Sequence, residues 1–333
     1  MSISVVTINF KHFGLLLDAF HLYNKAAVWY IIPKVVCQFY GQTLLTNKEF
    51  RMKSNKIIIT CALCGGGTTR KQSEFLPLSP QEQAADAVKA VKAGAAVIHI
   101  HTRDANGLNT METDLFVENV NTIRAALKAE GLDAIINVTT SGTKFPEDMR
   151  VAHLPILKPE LCSYDPGTLN WANSYVFLNT PPFLERLGTL TQELDIKPEL
   201  EIFDAGMIGN VEYYLKKGFL KGPLHYQLVL GVPGGMPGTV ESIAYLSGKL
   251  PKDATWSITG IGKAHMPCIL GGLAAGCDGL RVGLEDNVNL YKGVPATNEQ
   301  LVKQAVEISK MAGREIATAQ EAREILGVTK KVD

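Results

Sequence analysis

From residue 56 onward, short runs of aliphatic and β-branched residues alternate with longer stretches whose apolar positions return every three or four residues. A run of four to eight apolar residues bounded by turn formers predicts a buried strand, whereas the 3.6-residue return predicts an amphipathic helix. Strands are expected at 56–61, 96–101, 134–139, 160–163, 198–203, 224–230, 254–259 and 279–282. Helices are expected at 80–93, 113–130, 146–153, 181–194, 207–217, 240–249, 264–275 and 298–312. Ser79-Pro80-Gln81-Glu82 reads as a helix start: an N-cap hydroxyl, a proline at the first helical position and an acid at the positive helix end. Strict alternation calls for parallel strands with helices outside, and eight repeats in about 280 residues fit a closed (β/α)8 TIM barrel. An open doubly wound sheet is the alternative. The glycine-rich turn at 65–67 lacks the G-x-G-x-x-G spacing that a dinucleotide-binding version of that sheet needs.

Residues 1–55 break the pattern. Leu15, Leu16, Leu17, Trp29, Tyr30, Ile31 and Ile32 crowd together without a period, and Asp18, Lys25, Pro33 and Lys34 interrupt the apolar runs. None approaches the ~20 residues needed to span a bilayer. No basic start with an apolar core and a small-residue cleavage site is visible, which argues against a secretory signal. The expected organisation is a non-barrel N-terminal extension over 1–55, reached from an upstream start codon, and a catalytic domain over 56–333 that begins near Met52.

Composition narrows the partners. With 33 basic and 33 acidic residues among 333, the chain offers no dominant basic field to nucleic acid or to a membrane surface, which leaves small molecules. Six irregularly spaced cysteines suggest a reducing compartment, hence the cytoplasm, rather than a disulfide framework. Cys61 and Cys64 lie three apart on a strand and so face opposite sides, and no second pair completes a zinc site; they are expected to be structural.

In such a barrel the chemistry sits where strands end and the following loops begin. The second strand ends at His99 and His101, which alternation places on one side, while Ile98 and Ile100 face the helices. Two imidazoles at that spacing can grip one metal ion, and a hydrogen-bonded polar corner is the alternative. The first loop offers Thr68, Thr69 and Arg70 to an anionic substrate, or is a plain glycine turn. On the third strand Asn137 and Thr139 share the inward face and suit a carbonyl or carboxylate. The fourth runs into Ser163 and Asp165. On the fifth, Glu199 and Glu201 point inward, where a carboxylate needs a metal, substrate or arginine partner. After the sixth, Gly234 and Gly235 allow a ligand close to the backbone, and after the seventh Lys263 and His265 are candidates for a phosphate contact. The eighth ends in Arg281, Glu285, Asp286 and Asn287. Strands two and eight both flank strand one in a closed barrel, so Glu285 reaches an ion held by His99 and His101. A salt bridge to Arg281 is the competing role. Two imidazoles and one carboxylate leave positions open, as catalytic zinc requires.

These motifs together resemble the β-keto acid cleavage enzyme family. The resemblance rests on Val-Ile-His-Ile-His-Thr-Arg at 97–103, Leu-Lys-Pro-Glu at 157–160, Gly-Thr-Leu-Asn at 167–170, Leu-Val-Leu-Gly-Val-Pro-Gly-Gly-Met at 228–236, Gly-Ile-Gly at 260–262 and Arg-Val-Gly-Leu-Glu-Asp-Asn at 281–287. It implies a zinc-dependent TIM barrel, usually a homotetramer, that converts a β-keto acid and acetyl-CoA into acetoacetate and an acyl-CoA. It places the metal ligands at His99, His101 and Glu285, the general base at Asp286 and the substrate-binding arginine at Arg281. The hydroxyls beside the substrate fall on Thr139 and Ser163, and the strand-five glutamate on Glu201. The prototype's first loop carries a glutamate for the substrate's ammonium group, and that position is Gly67 here, so an amino substrate is not implied. Two other functions fit the residues: a zinc hydrolase recruiting His225 or His265, and a non-catalytic metal or acyl-CoA binding protein.

Overall fold

A computed structural model describes residues 54–142 and 144–330. The expectation for 1–55 lies, but for its last two residues, outside them. Eight parallel strands form the barrel: β1 (Lys56–Ala62), β2 (Val97–Ile100), β3 (Ile135–Val138), β4 (Leu161–Tyr164), β5 (Lys197–Ile202), β6 (His225–Leu230), β7 (Thr255–Gly260) and β8 (Gly279–Val282). Each pairs with its sequence neighbour, and the cylinder closes where β8 meets β1, with Thr60 opposite Arg281. Helices α1 (Pro80–Ala93), α2 (Thr113–Ala129), α3 (Glu147–Val151), α4 (Leu154–Leu157), α5 (Pro181–Glu193), α6 (Ala205–Lys216), α7 (Val240–Ser247), α8 (His265–Ala274), α9 (Asn298–Met311) and α10 (Ala319–Leu326) complete the chain.

The elements follow from their residues. Outward-facing Ile57, Ile59, Ile98, Ile100, Ile136 and Val138 pack with helix side chains such as Phe116, Val120 and Ile123 in one large core. At α1, Ser79 Oγ accepts from Glu82 N at 3.2 Å while Glu82 Oε2 accepts from Ser79 N at 2.9 Å, a reciprocal capping box. The helix expected at 146–153 is instead the two short pieces α3 and α4, because Pro155 cannot donate to a continued helix and Lys158 ends the segment at φ 41°. All five described cysteines are buried thiols without a disulfide. Among the described residues, no helix is long and apolar enough to cross a membrane.

Periodicity did not foretell the floor of the barrel. After α9 the chain adds a two-residue strand, Glu315–Ile316, to the start of β1, and α10 then lies across the strand beginnings. Ala317, Ala322 and Leu326 pack there on Ile58, Val97, Ile135 and Leu161, so the N-terminal mouth is sealed by a small apolar plug. Arg323 secures it: the guanidinium, 3% exposed, donates to Glu160 Oε1 at 2.5 Å and to both oxygens of Asp133 at 2.7 and 3.0 Å. Glu160 is itself buried. Arg323→Met strands that carboxylate, and the expected loss is about 3 kcal/mol. The thermal midpoint of the full chain should accordingly fall by roughly 6–12 °C. A midpoint within a degree of wild type would show that α10 closes the barrel without this pair.

Candidate active site

The catalytic face is opposite the plug. His99 lies on β2 and His101 one residue beyond it, both buried, with ring centroids 5.3 Å apart. Across β1, the loop after β8 brings Glu285 to them: Oε1 is 3.3 Å from His101 Nε2 and Oε2 is 3.6 Å from His99 Nε2. Two glycines permit this approach. Gly283 has φ +138°, and a Cβ there would stand 2.1 Å from Ala62 O; a Cβ on Gly65 would strike Glu285 Cγ at 2.5 Å. Asn298 fastens the two loops, accepting from Leu284 N at 2.8 Å and donating to Leu63 O at 2.8 Å.

The three side chains each present a ligand atom within 4.8 Å of the others. Burial and the positive charge of Arg281 keep His99 uncharged, its pKa lowered to about 3 despite Glu285. Burial would raise the Glu285 carboxyl, but Arg281 outweighs it and holds it well below the usual range. A neutral imidazole facing an ionised carboxylate is a metal donor set. Buried Glu285 Oε2, the oxygen that faces His99 Nε2, has no hydrogen-bond partner, so the residues fit a divalent cation.

Arg281, 2% exposed, is the hub beside that triad. It donates from Nε to Asp286 Oδ2 at 2.8 Å, and from Nη2 to Asp286 Oδ1 at 3.0 Å and Glu285 Oε1 at 2.7 Å; Nη1 is 3.4 Å from Glu201 Oε1. The salt bridge weighed against a metal role for Glu285 therefore exists, and it leaves Oε2 available. Burial raises the Asp286 carboxyl, with Arg281 opposing and Glu285 assisting, and burial lifts Glu201 well above its ordinary value against the pull of Arg281. One guanidinium faces three carboxylates. A second positive charge is what that balance lacks.

The other expected residues divide. Thr139, Ser163 and Asp165 are buried at the ends of β3 and β4, and Ser163 Oγ and Asp165 Oδ1 have no partner. Thr68 donates to Glu285 O at 3.3 Å. Arg70 does not join the cluster: it is exposed and paired with Glu82 at the start of α1. Gly234 and Gly235 have a reason within the chain, since a Cβ at either would meet Asn170 O at 1.9 Å or Phe203 O at 2.7 Å. Lys263 is exposed on a turn whose Gly262 N donates to Asp286 O at 2.8 Å. Neither His225 nor His265 belongs to the ligand groupings found among the described residues. A side chain at Gly67 would extend into open space.

Sequence reasoning missed the supports. Thr259 donates to Asp286 Oδ2 at 3.1 Å, and Ser141 donates to Asp165 Oδ2 at 2.6 Å. Arg103 donates to Gly65 O at 2.7 Å, Cys64 O at 3.0 Å and Thr68 O at 2.8 Å, pinning the first loop against β2. Its place two residues after His101, in a run with no other charge before Asp104, was the available signal.

The chain matches the beta-keto acid cleavage enzyme family over residues 56–328. It is 36% identical over 281 residues to the 3-keto-5-aminohexanoate cleavage enzyme of Fusobacterium nucleatum subsp. nucleatum, covering 83% of this chain and 99% of that one. It is 33% identical over 300 residues to the 3-dehydrocarnitine:acetyl-CoA trimethylamine transferase of Rhizobium meliloti, covering 84% of this chain and 98% of that one. Among solved structures, apo ObcA superposes with a TM-score of 0.65 at 22% identity, over 77% of this chain and 66% of that one, a likeness of fold. With a family match that spans the whole barrel and relatives aligned over nearly their full length, the chain belongs to the beta-keto acid cleavage enzyme family.

Proposed function

We infer that this barrel cleaves β-keto acids with acetyl-CoA, giving acetoacetate and the CoA thioester of the remaining acyl group. The observation that carries the reading is the Arg281–Asp286 pair, one guanidinium clamped on one carboxylate beside His99, His101 and Glu285. Binding alone needs no such base, and the family relationship names the reaction class.

Arg281 receives the keto acid's carboxylate, for which its planar fork is suited. That ligand competes with Asp286 for the same N–H groups, so its arrival loosens Asp286 and makes the carboxylate a better base. Asp286 then takes a proton from the carbon between the keto and carboxylate groups. His99, His101 and Glu285 would hold a divalent cation, zinc as the family resemblance implies, and it would supply positive charge where the enolate develops. The carbanion adds to the acetyl thioester carbonyl, and the CoA thiolate leaves. That thiolate adds to the original keto carbon, the bond from this carbon to the deprotonated one breaks, and Asp286 returns its proton, releasing acetoacetate and the new acyl-CoA. Thr139 and Ser163 offer hydroxyls to the carbonyl oxygens, and Asp165 and Glu201 line the same mouth. Thr68 lies on its first loop, with Arg70 outside the cluster, and we assign CoA entry to the side where Lys263 is exposed. Gly67 leaves room for a side chain without an ammonium group.

Two finer assignments belong to this reading. Apolar Val240, Tyr245 and Leu270, exposed on α7 and α8, support assembly of copies into a homotetramer. Buried, unpaired thiols favour the cytoplasm.

The test is a panel of β-keto acids incubated with the full chain, acetyl-CoA and zinc. Acetoacetate and a new acyl-CoA should appear in equal amounts, and only when acetyl-CoA is present. Free acid released without CoA transfer would instead identify a hydrolase.

A further inference from the structure

The two buried glutamates on β5 have different surroundings. Glu201 faces Arg281, whereas Glu199, 1% exposed, accepts a hydrogen bond at Oε2 from Asn137 Nδ2 at 2.6 Å. Its other oxygen lies 3.8 Å from His225 Nε2. The bond to Asn137 fixes which way that amide points, because turning it over would set an oxygen against a carboxylate. Asn137 Oδ1 is thereby left as an acceptor, buried and without a partner. Asn137 is the register partner of His99 across β2 and β3. His99 Nδ1 is likewise buried and without a partner, while Nε2 of the same ring faces Glu285. Two complementary atoms therefore stand unsatisfied on paired residues of adjacent strands, and burying either one alone is costly.

We propose that Asn137 and Glu199 are positioning residues for the metal centre: Glu199 orients the Asn137 amide, and Asn137 Oδ1 accepts the Nδ1–H of His99, leaving Nε2 deprotonated and aimed at the ion. The inference rests on the reading of His99, His101 and Glu285 as that centre. A ligating imidazole must carry its proton on the nitrogen away from the ion, and a buried acceptor for that proton selects the tautomer and fixes the ring. The arrangement also gives Glu199 a role other than metal ligation in the grouping of His99, Glu199 and Glu201, whose ligand atoms lie within 4.8 Å of one another.

The experiment uses the zinc-loaded full chain and zinc as the probe. In competition with a chromogenic chelator, Asn137→Leu should weaken zinc binding by about 10–100-fold. Glu199→Gln, whose amide can present either end to Asn137, should weaken it less. Both should still fold and bind one zinc per chain. In zinc-loaded wild type labelled with 15N-histidine, the His99 Nδ1–H should exchange slowly with solvent, and in Asn137→Leu it should exchange fast. A folded Asn137→Leu chain that binds zinc as tightly as wild type overturns the proposal. So does ligation through His99 Nδ1, or two zinc ions per wild-type chain with one lost in Glu199→Gln. Should Asn137→Leu not fold, the ligating nitrogen and exchange rate in wild type decide alone. A wild-type chain that takes up no zinc overturns the metal centre itself, and the proposal with it.

Discussion

Asp286→Asn should lower turnover by about 10³-fold while the protein keeps its full complement of divalent metal. The substitution preserves size and planarity, so the Thr259 hydroxyl and the Arg281 fork still have an oxygen to donate to. It removes the one property the reaction needs, a carboxylate that takes a proton from carbon and later returns it. Because Arg281 and the three metal-facing groups are untouched, KM for the keto acid should change far less than kcat, the mark of an interaction made in the transition state. Burial lifts the Asp286 carboxyl above its ordinary value, with Arg281 restraining it, so in the free protein it is a stronger base than an exposed aspartate. Steady-state acetoacetate formation with metal analysis of the same sample checks this. Turnover within tenfold of wild type at full metal content would move the base to another group, and Glu201, facing the same guanidinium at 3.4 Å, is the next to examine.

The barrel and the triad were legible because each rests on a short-range rule. Alternation along β2 places His99 and His101 together whatever surrounds them, and closure of eight parallel strands brings the β8 loop to the β2 loop across β1. Alternation on β5 likewise sent Glu199 and Glu201 inward. The remainder depended on contacts between residues far apart in sequence, which no local pattern encodes. Thr259 supports Asp286 from β7, Asn298 joins the first and eighth loops from the start of α9, and α10 plugs the floor through a guanidinium reaching Glu160. Arg70 and the Gly234–Gly235 pair show that a local pattern also has local uses. A basic residue after a glycine loop suggests an anion site, yet Arg70 has an acid on the neighbouring helix start. Two glycines suggest a ligand cradle, yet the space beside them is filled by the chain's own carbonyls.

The second large effect concerns the proposed ion. His101→Ala should leave the chain folded, with metal content near zero after dialysis and turnover reduced by about 10³-fold, since a cation at a developing enolate contributes several kcal/mol. The variant's melting temperature should also stop responding to added zinc. In wild type, if the proposed site holds zinc, zinc at a thousand times its Kd should stabilise the fold by about 4 kcal/mol, because donors from separate strands converge only in the folded state. The metal-free forms should differ little. In both, Glu285 keeps its 2.7 Å contact with Arg281. The charge balance predicts the direction: with Glu201, Glu285 and Asp286 gathered around one guanidinium, any loss of cation affinity leaves the cavity with excess negative charge. Such a cavity holds a second anion, the keto acid, poorly, so KM for the substrate should rise along with the fall in kcat. A His101→Ala chain that retained both its zinc response and its turnover would leave the imidazole pair without a role at the centre of the site.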